Sequence, residues 1–260
     1  MKRNLQIFYL LSWYSLKATL EHKSGLIFFM LGKLIRFFMF FLFIFTLVSR
    51  TKMFVGYTMN QSLIFFLTFN VIDTMTQLTF REVYRFRSMI VNGDLDGVLL
   101  KPYHPFLRVL VGGVDFMDLL ILVLYIVLLV FFILQSSVVS PLLLGLYLVL
   151  IVNSMLLATG FHILVLALGI VSTEVDHTIM IYRDLSKMAV VPIDIYKEPI
   201  RSLITFVIPV GVMMTFPVKG LLGLLSFKLV GISFALGLGV FFLSLFAWKR
   251  ALAKYQSVGS

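Results

Sequence analysis

The chain has 260 residues, 60 % of them apolar and 13 % charged, with a mean hydropathy of +1.04 and a formal charge of +10. Soluble domains are about a quarter charged, so a water-soluble globule is excluded, as is a barrel, whose strands would alternate polar and apolar residues. Apolar runs of roughly 17–25 residues match a bilayer core about 30 Å thick, which makes the chain an all-α polytopic membrane protein.

Residues 1–24 carry Lys2, Arg3, Lys17 and Lys23, with Tyr9, Trp13 and Tyr14 among leucines. They resemble no cleaved signal peptide. On a helical wheel Asn4, Ser12, Ser15, Thr19 and His22 share a face that only Phe8 interrupts, so an interfacial helix on the cytoplasmic surface is expected. The first span is awkward: residues 37–48 lack charge but cover only about 18 Å as a helix. Crossing requires residues back to about Leu26, which takes in Lys33 and Arg36. Either these two snorkel to the headgroups or they line a wet cavity. Arg50 and Lys52 then sit in a short outer loop. The second span runs from about Met53 to Gln77, with Asp73 near its inner end. A carboxylate there is costly and marks function, unless it reaches the interface or pairs with a base.

Residues 81–108 form a polar island, REVYRFRSMIVNGDLDGVLLKPYHPFLR, with five basic and three acidic residues and two prolines. Gly93 and Gly97 permit tight turns. Asp94 can cap a helix or offer its carboxylate to a partner. Leu95, Val98, Leu99 and Leu100 offer an apolar face to a cleft, and Pro102 and Pro105 limit helix continuation.

The third and fourth spans are expected at 116–134 and 142–171, joined by a short outer hairpin containing Ser136, Ser137 and Pro141; residues 119–173 hold no Asp, Glu, Lys or Arg. His162, alone in the fourth span, reads as a packing residue. Residues 172–201 form a second polar segment. Glu174, Asp176 and His177 do not share one helical face there, so no metal site is expected. The fifth span starts near Ser202 and contains Pro209 and Pro217, which break a helix; residues 217–227 read as a re-entrant or interfacial outer element. The sixth span covers 229–248, followed by a basic tail. Its Gly231, Ala235 and Gly239 form a small-residue stripe for close helix packing, within the chain or, as the alternative, at a subunit seam.

The expected organisation is one permease domain: 1–24 interfacial helix, 25–80 spans one and two, 81–115 cytoplasmic loop, 116–171 spans three and four, 172–201 cytoplasmic loop, 202–248 spans five and six, and 249–260 cytoplasmic tail. With both termini inside, sixteen basic residues fall on the cytoplasmic side and four outside, the bias that sets orientation. The basic excess therefore points to cytoplasmic loops, not to nucleic acid. The sequence holds no G-x-x-x-x-G-K-[ST] loop, H-E-x-x-H, G-x-S-x-G or cysteine, so no catalytic residue is expected and any chemical energy comes from elsewhere. A lipid-modifying enzyme would need acid, base or metal ligands at one depth, and Asp73, His162 and Glu174 lie at different depths.

Residues 90–96, Ile-Val-Asn-Gly-Asp-Leu-Asp, followed by Leu99-Leu100-Lys101-Pro102, resemble the I-x-x-G-x-L-D … L-L-(R/K)-P signature of type-2 ABC transporter permeases, in particular the bacterial six-span group. Gly56-Tyr57-Thr58, opening the second span, is similar to the group's Gly-aromatic-small entry, and residues 189–192 (Ala-Val-Val-Pro), Ile195-Tyr196, Arg201, residues 206–209 (Phe-Val-Ile-Pro) and Phe216-Pro217 resemble its later pattern, whereas Met213-Met214-Thr215 replaces a stretch that is often rich in tyrosine. The resemblance covers essentially the whole chain. It implies a membrane subunit of an ATP-driven exporter in the bacterial cell membrane, with both termini cytoplasmic. It further implies two ATP-binding cassette subunits that carry ATP and Mg, a second permease chain, identical or paralogous, and no cofactor in this chain. The coupling residues it implies are Gly93, Asp94, Leu95, Asp96, Leu99, Lys101 and Pro102. Few charges lie in the spans and 27 residues are phenylalanine, so amphipathic or hydrophobic cargo (peptide, drug or lipid-like) is expected. The alternative is a non-transporting immunity or scaffolding protein.

Overall fold

The structure is a computed structural model describing residues 2–21, 23–51, 53–136, 139–172 and 175–256. His22, Lys52, Ser137 and Glu174 lie outside the described residues. Within these the fold is all-α, and the only strand-like pairing is the bridge between Phe54 and Tyr57. Five stretches are long and apolar enough to cross a membrane: Ile27–Arg50, Met59–Val91, Phe116–Leu134, Pro141–Ser172 and Phe227–Ala253.

Helix α1 (Lys2–Glu21) leaves Leu5, Tyr9 and Tyr14 largely exposed. It meets the turn before residue 116 closely. A Cβ on Gly113 would lie 2.5 Å from the Leu11 carbonyl oxygen, and the Val114 amide donates to Ser12 Oγ at 3.2 Å. Helix α2 (Lys23–Thr51) rests on the bundle through the buried stripe Phe37, Ile44 and Val48. Helix α3 (Met59–Phe80) opens with a capping box: Thr58 Oγ1 accepts from the Gln61 amide, and Gln61 Oε1 accepts from the Thr58 amide at 2.9 Å. Without water, first-turn amides depend on such caps. Helix α6 (Phe116–Leu134) and helix α12 (Phe227–Ala253) are likewise capped, by Asp115 and Ser226.

Helix α7 (Pro141–Ser172) is the axis of the bundle. It lies along α12 at a seam of small and polar residues, where Asn153 Nδ2 donates to the Ser233 carbonyl at 3.0 Å and to Ser233 Oγ at 2.9 Å. A Cβ on Gly160 would meet Val240 at 2.9 Å, and one on Gly237 would overlap the Asn153 carboxamide. The packing expected of Gly231, Ala235 and Gly239 is therefore made by Ser233 and Gly237. The expected stripe faces outward, with nothing within 4 Å of a Cβ on Gly231 or Gly239.

After α7 the path departs from the expected one. Helix α8 (Val175–Lys187) folds back along α7, burying Val175, Ile179, Tyr182 and Ser186, and the Tyr182 ring centroid lies 4.9 Å from that of His162. The chain continues in that direction to Asp194, which accepts from Tyr57 Oη at 2.9 Å and from Lys219 Nζ at 2.7 Å. Tyr57 precedes α3, and Lys219 adjoins Gly220, whose Cβ would sit 2.7 Å from Leu150 in the first turns of α7. The chain has thus traversed the bundle by residue 194, so Asp194 does not lie on the side of the coupling segment, as the expected 172–201 loop required.

Nor is the fifth span expected from Ser202 a continuous helix. It is broken into α9 (Ile200–Ser202), a π-helix (Leu203–Val207), α10 (Val210–Met214) and α11 (Phe216–Leu221). Pro209 and Pro217 account for the breaks, since proline lacks a donor and clashes with the preceding turn. Val218 and Leu221 are fully buried, so α11 is packed into the bundle and does not lie on its surface.

Candidate coupling segment and membrane cavity

Beyond α3 the chain tightens into a 3-10 helix (Arg81–Arg85), then α4 (Phe86–Val91) and α5 (Asp94–Leu99). Gly93 joins the last two at φ 76°, a left-handed conformation that glycine adopts without steric cost. Asp94 occupies the first turn of α5 and makes no cap bond, contrary to the capping role read from sequence. Leu95 is 0 % exposed and Val98 is buried, both against the chain's own core; Leu99 is half-buried there. The apolar face expected to meet a partner is therefore mostly internal. Asp94, Gly97, Leu100, Lys101 and Pro102 are what the segment presents, with Leu100 87 % exposed. Asp96 is engaged near the end of the chain, where burial and then this carboxylate push the Tyr255 phenol up.

Two buried carboxylates, each held by partly exposed arginines, fasten this segment to the bundle. Glu82, 5 % exposed, accepts from Arg85 and from Arg108 Nη1, each at 3.0 Å. Arg108 lies in the returning π-helix (Leu107–Val111). Arg81 pairs with Asp115, 2 % exposed, whose Oδ1 also accepts from the Met117 amide at 3.0 Å. Gly112, at φ 61°, lets Glu82 through, because a Cβ there would overlap Glu82 Cγ. Sequence reasoning missed Glu82, Asp115 and Asp118. A signal for the last two existed: carboxylates three residues apart at the start of a wholly apolar helix need basic partners.

Lys33 finds one of them. It pairs with Asp118 in the first turn of α6 and lies 4.7 Å from the Phe29 ring centroid. Lys33, Arg36 and Asp73, which the sequence singled out separately, line one cavity of about 740 Å³ between α2, α3 and α8. Arg183 and Lys187 of α8 complete its polar wall; Phe37, Phe40 and Phe66 form the apolar one. Gln77 Nε2 donates to Asp73 Oδ2 at 2.7 Å. His162 stands apart from the cavity. Its Nδ1–H donates to the Ala158 carbonyl at 2.8 Å, and its ring sits between those of Phe80 and Tyr182, as a packing residue would.

Comparison with known proteins agrees with this architecture. The profile described as ABC-2 family transporter protein matches residues 34–259, which include the candidate coupling segment, every cavity residue on α3 and α8, and the broken helices before α12. No curated protein and no solved structure matches the chain. On the extent of that profile match, the chain belongs to the ABC-2 family of transporter proteins, as a membrane-embedded permease.

Proposed function

We propose that the chain is the membrane subunit of an ATP-driven exporter of amphipathic or hydrophobic cargo in the bacterial cell membrane. Two permease chains, identical or paralogous, act with two ATP-binding cassette subunits. ATP and Mg bind those subunits, since no phosphate loop occurs in this sequence. The chain makes six crossings with both termini cytoplasmic, and residues 175–195 form the fifth. With Lys197 and Arg201 assigned outside, twelve basic residues lie on the cytoplasmic side and six opposite, a bias that favours this orientation.

One observation carries the reading. The exposed edge of α5 stands at one end of the bundle, with Leu95 and Val98 buried in the core, in a loop whose two ends, after α3 and before α6, are joined by the Glu82–Arg108 and Arg81–Asp115 ion pairs. A push on Asp94, Leu100 or Lys101 passes through Leu95 and Val98 into the core, and reaches α3 and α6 through loop ends whose buried carboxylates cannot lose their arginines at low cost. A cassette that closes on ATP can bias the bundle only through contacts that differ between its states, and this edge is where such contacts are made.

The test is co-purification in mild detergent with a cassette ATPase, followed by the paired substitution Asp94→Ala and Leu100→Ala. ATP-driven export should fall at least about tenfold while melting of the chain is unchanged, the loss of roughly one to two interface contacts. Full export by the pair would remove α5 as the coupling element. Absence of any ATPase partner would favour a non-transporting scaffold.

A further inference from the structure

We propose that the cavity between α2, α3 and α8 receives the negatively charged head of an amphiphile: a phosphate- or carboxylate-bearing group on an apolar chain. The proposal names the cargo class of the transporter reading and rests on that reading for its purpose, though not for the binding itself.

Donor counting supports the choice. Of the four cations on the wall, Lys33 is paired with Asp118 and Lys187 donates to Asp184 at 2.7 Å. Arg36 and Arg183 have no such partner: among the described residues no carboxylate lies within 4 Å of either guanidinium. Arg183 instead covers the Tyr84 ring at 5.7 Å, and Arg36 faces Asp73 at longer range. Each guanidinium carries five N–H donors in a planar fork suited to carboxylate or phosphate. Asp73 is the one carboxylate on the wall, and one of its oxygens is already occupied by Gln77. Two guanidinia against one carboxylate leave a site that is net positive and rich in unfilled donors. Such a site suits an anion with several acceptor oxygens.

The cavity also has a direction. Asp118 lies in the first turn of α6, and Tyr84 follows α3, so the cations gather at the coupling end of the bundle. Phe66 lies seven residues before Asp73, about 10 Å further along α3. Its ring stacks on Phe37 at 5.2 Å and on Phe40 at 4.9 Å. A charged head at one end and an aromatic floor at the other is the polarity of an amphiphile lying along the bilayer normal. The cavity volume falls within the range of ligand sites, roughly 300–1,000 Å³. Phe28, which lines the cavity, is also 75 % exposed, so the cavity reaches the surface beside α2.

The experiment uses the full chain alone, without nucleotide or ATPase, transferred from mild detergent into native mass spectrometry with equimolar phosphatidic acid and phosphatidylcholine. The first bound lipid should be phosphatidic acid by about tenfold, and excess inorganic phosphate should not displace it. Arg36→Gln with Arg183→Gln should bring the ratio within about twofold, whereas Arg36→Lys with Arg183→Lys should preserve most of it. Equal melting temperatures show that the variants are folded. An unchanged ratio in the Gln pair would place the preference on the basic surface and overturn the proposal, as would displacement by inorganic phosphate. ATP-driven export by a chain with no such preference would overturn this inference alone. Anionic-lipid preference in a chain that pairs with no ATPase would overturn the transporter reading alone.

Discussion

At the coupling end of the bundle Glu82 and Asp115 are almost wholly buried and are held by arginines; at the opposite end Asp194 keeps about a fifth of its side chain exposed (20 %) and is shared by Tyr57, Lys219 and, at 4.0 Å, Arg201. Both clusters join elements far apart in sequence, but their energetics differ. A carboxylate out of water must keep its partners, because the stranded charge is what costs, about 3–5 kcal/mol. A partly exposed one is rescued by solvent, and its pairs contribute about 1 kcal/mol or less. Separating the charges at the α5 end is therefore expected to cost more than separating those at the far end.

The largest expected effect comes from removing both partners of Glu82. Arg85→Ala with Arg108→Ala should destabilise the chain by about 4 kcal/mol in thermal or denaturant unfolding in detergent. Adding Glu82→Gln should restore more than half of that, since the penalty belongs to the unpaired charge and not to lost attraction. If the third substitution made matters worse, the Glu82 pairs would act through packing, and the contrast between the two ends would lose its basis.

Gly112→Ala should cost somewhat less, about 2–3 kcal/mol. It puts a side chain at φ 61° and pushes Glu82 out of its seat without removing any charge. Pairing it with Arg108→Ala sharpens the point: the two losses should fall well short of additive, because both act through the position of Glu82.

Much of this could be read from the sequence, and the omissions have physical causes. Lys33, Arg36 and Asp73 were visible as charges that no span should hold, but Asp118, 85 residues beyond Lys33, could not be joined to it without the fold. Helix α8 was hidden by Arg183, Asp184 and Lys187, which look like a solvated loop. Its buried set, Val175, Ile179, Tyr182 and Ser186, recurs at spacings of four, three and four, the period of a helix with one packed face. The Gly231 stripe shows the opposite error, because spacing by four identifies a face of α12 but not the direction it points. In the island the motif located α5 correctly, yet the pattern alone could not tell that Leu95 points inward while Leu100 points out.

At the far end, Asp194→Asn should cost only about 1 kcal/mol, since the amide still accepts from Tyr57 and the cluster stays hydrated. Its more informative readout is salt: raising ionic strength should lower the wild-type melting point toward that of the variant, because pairs at a wet surface are screened. The coupling-end triple variant should show no such convergence.

Tyr57→Phe is the smallest and the most discriminating change. It removes one hydroxyl that donates to Asp194 at 2.9 Å and leaves the ring packed on Phe65, with centroids 4.7 Å apart. A loss of about 0.5 kcal/mol is expected, the net contribution of a hydrogen bond whose acceptor can turn to water or to Lys219. If the change instead cost as much as stripping Glu82 of its arginines, Asp194 would be a buried charge dependent on every partner. The far end would then be as fixed as the coupling end, and the bundle would have no end free to part when the other is driven.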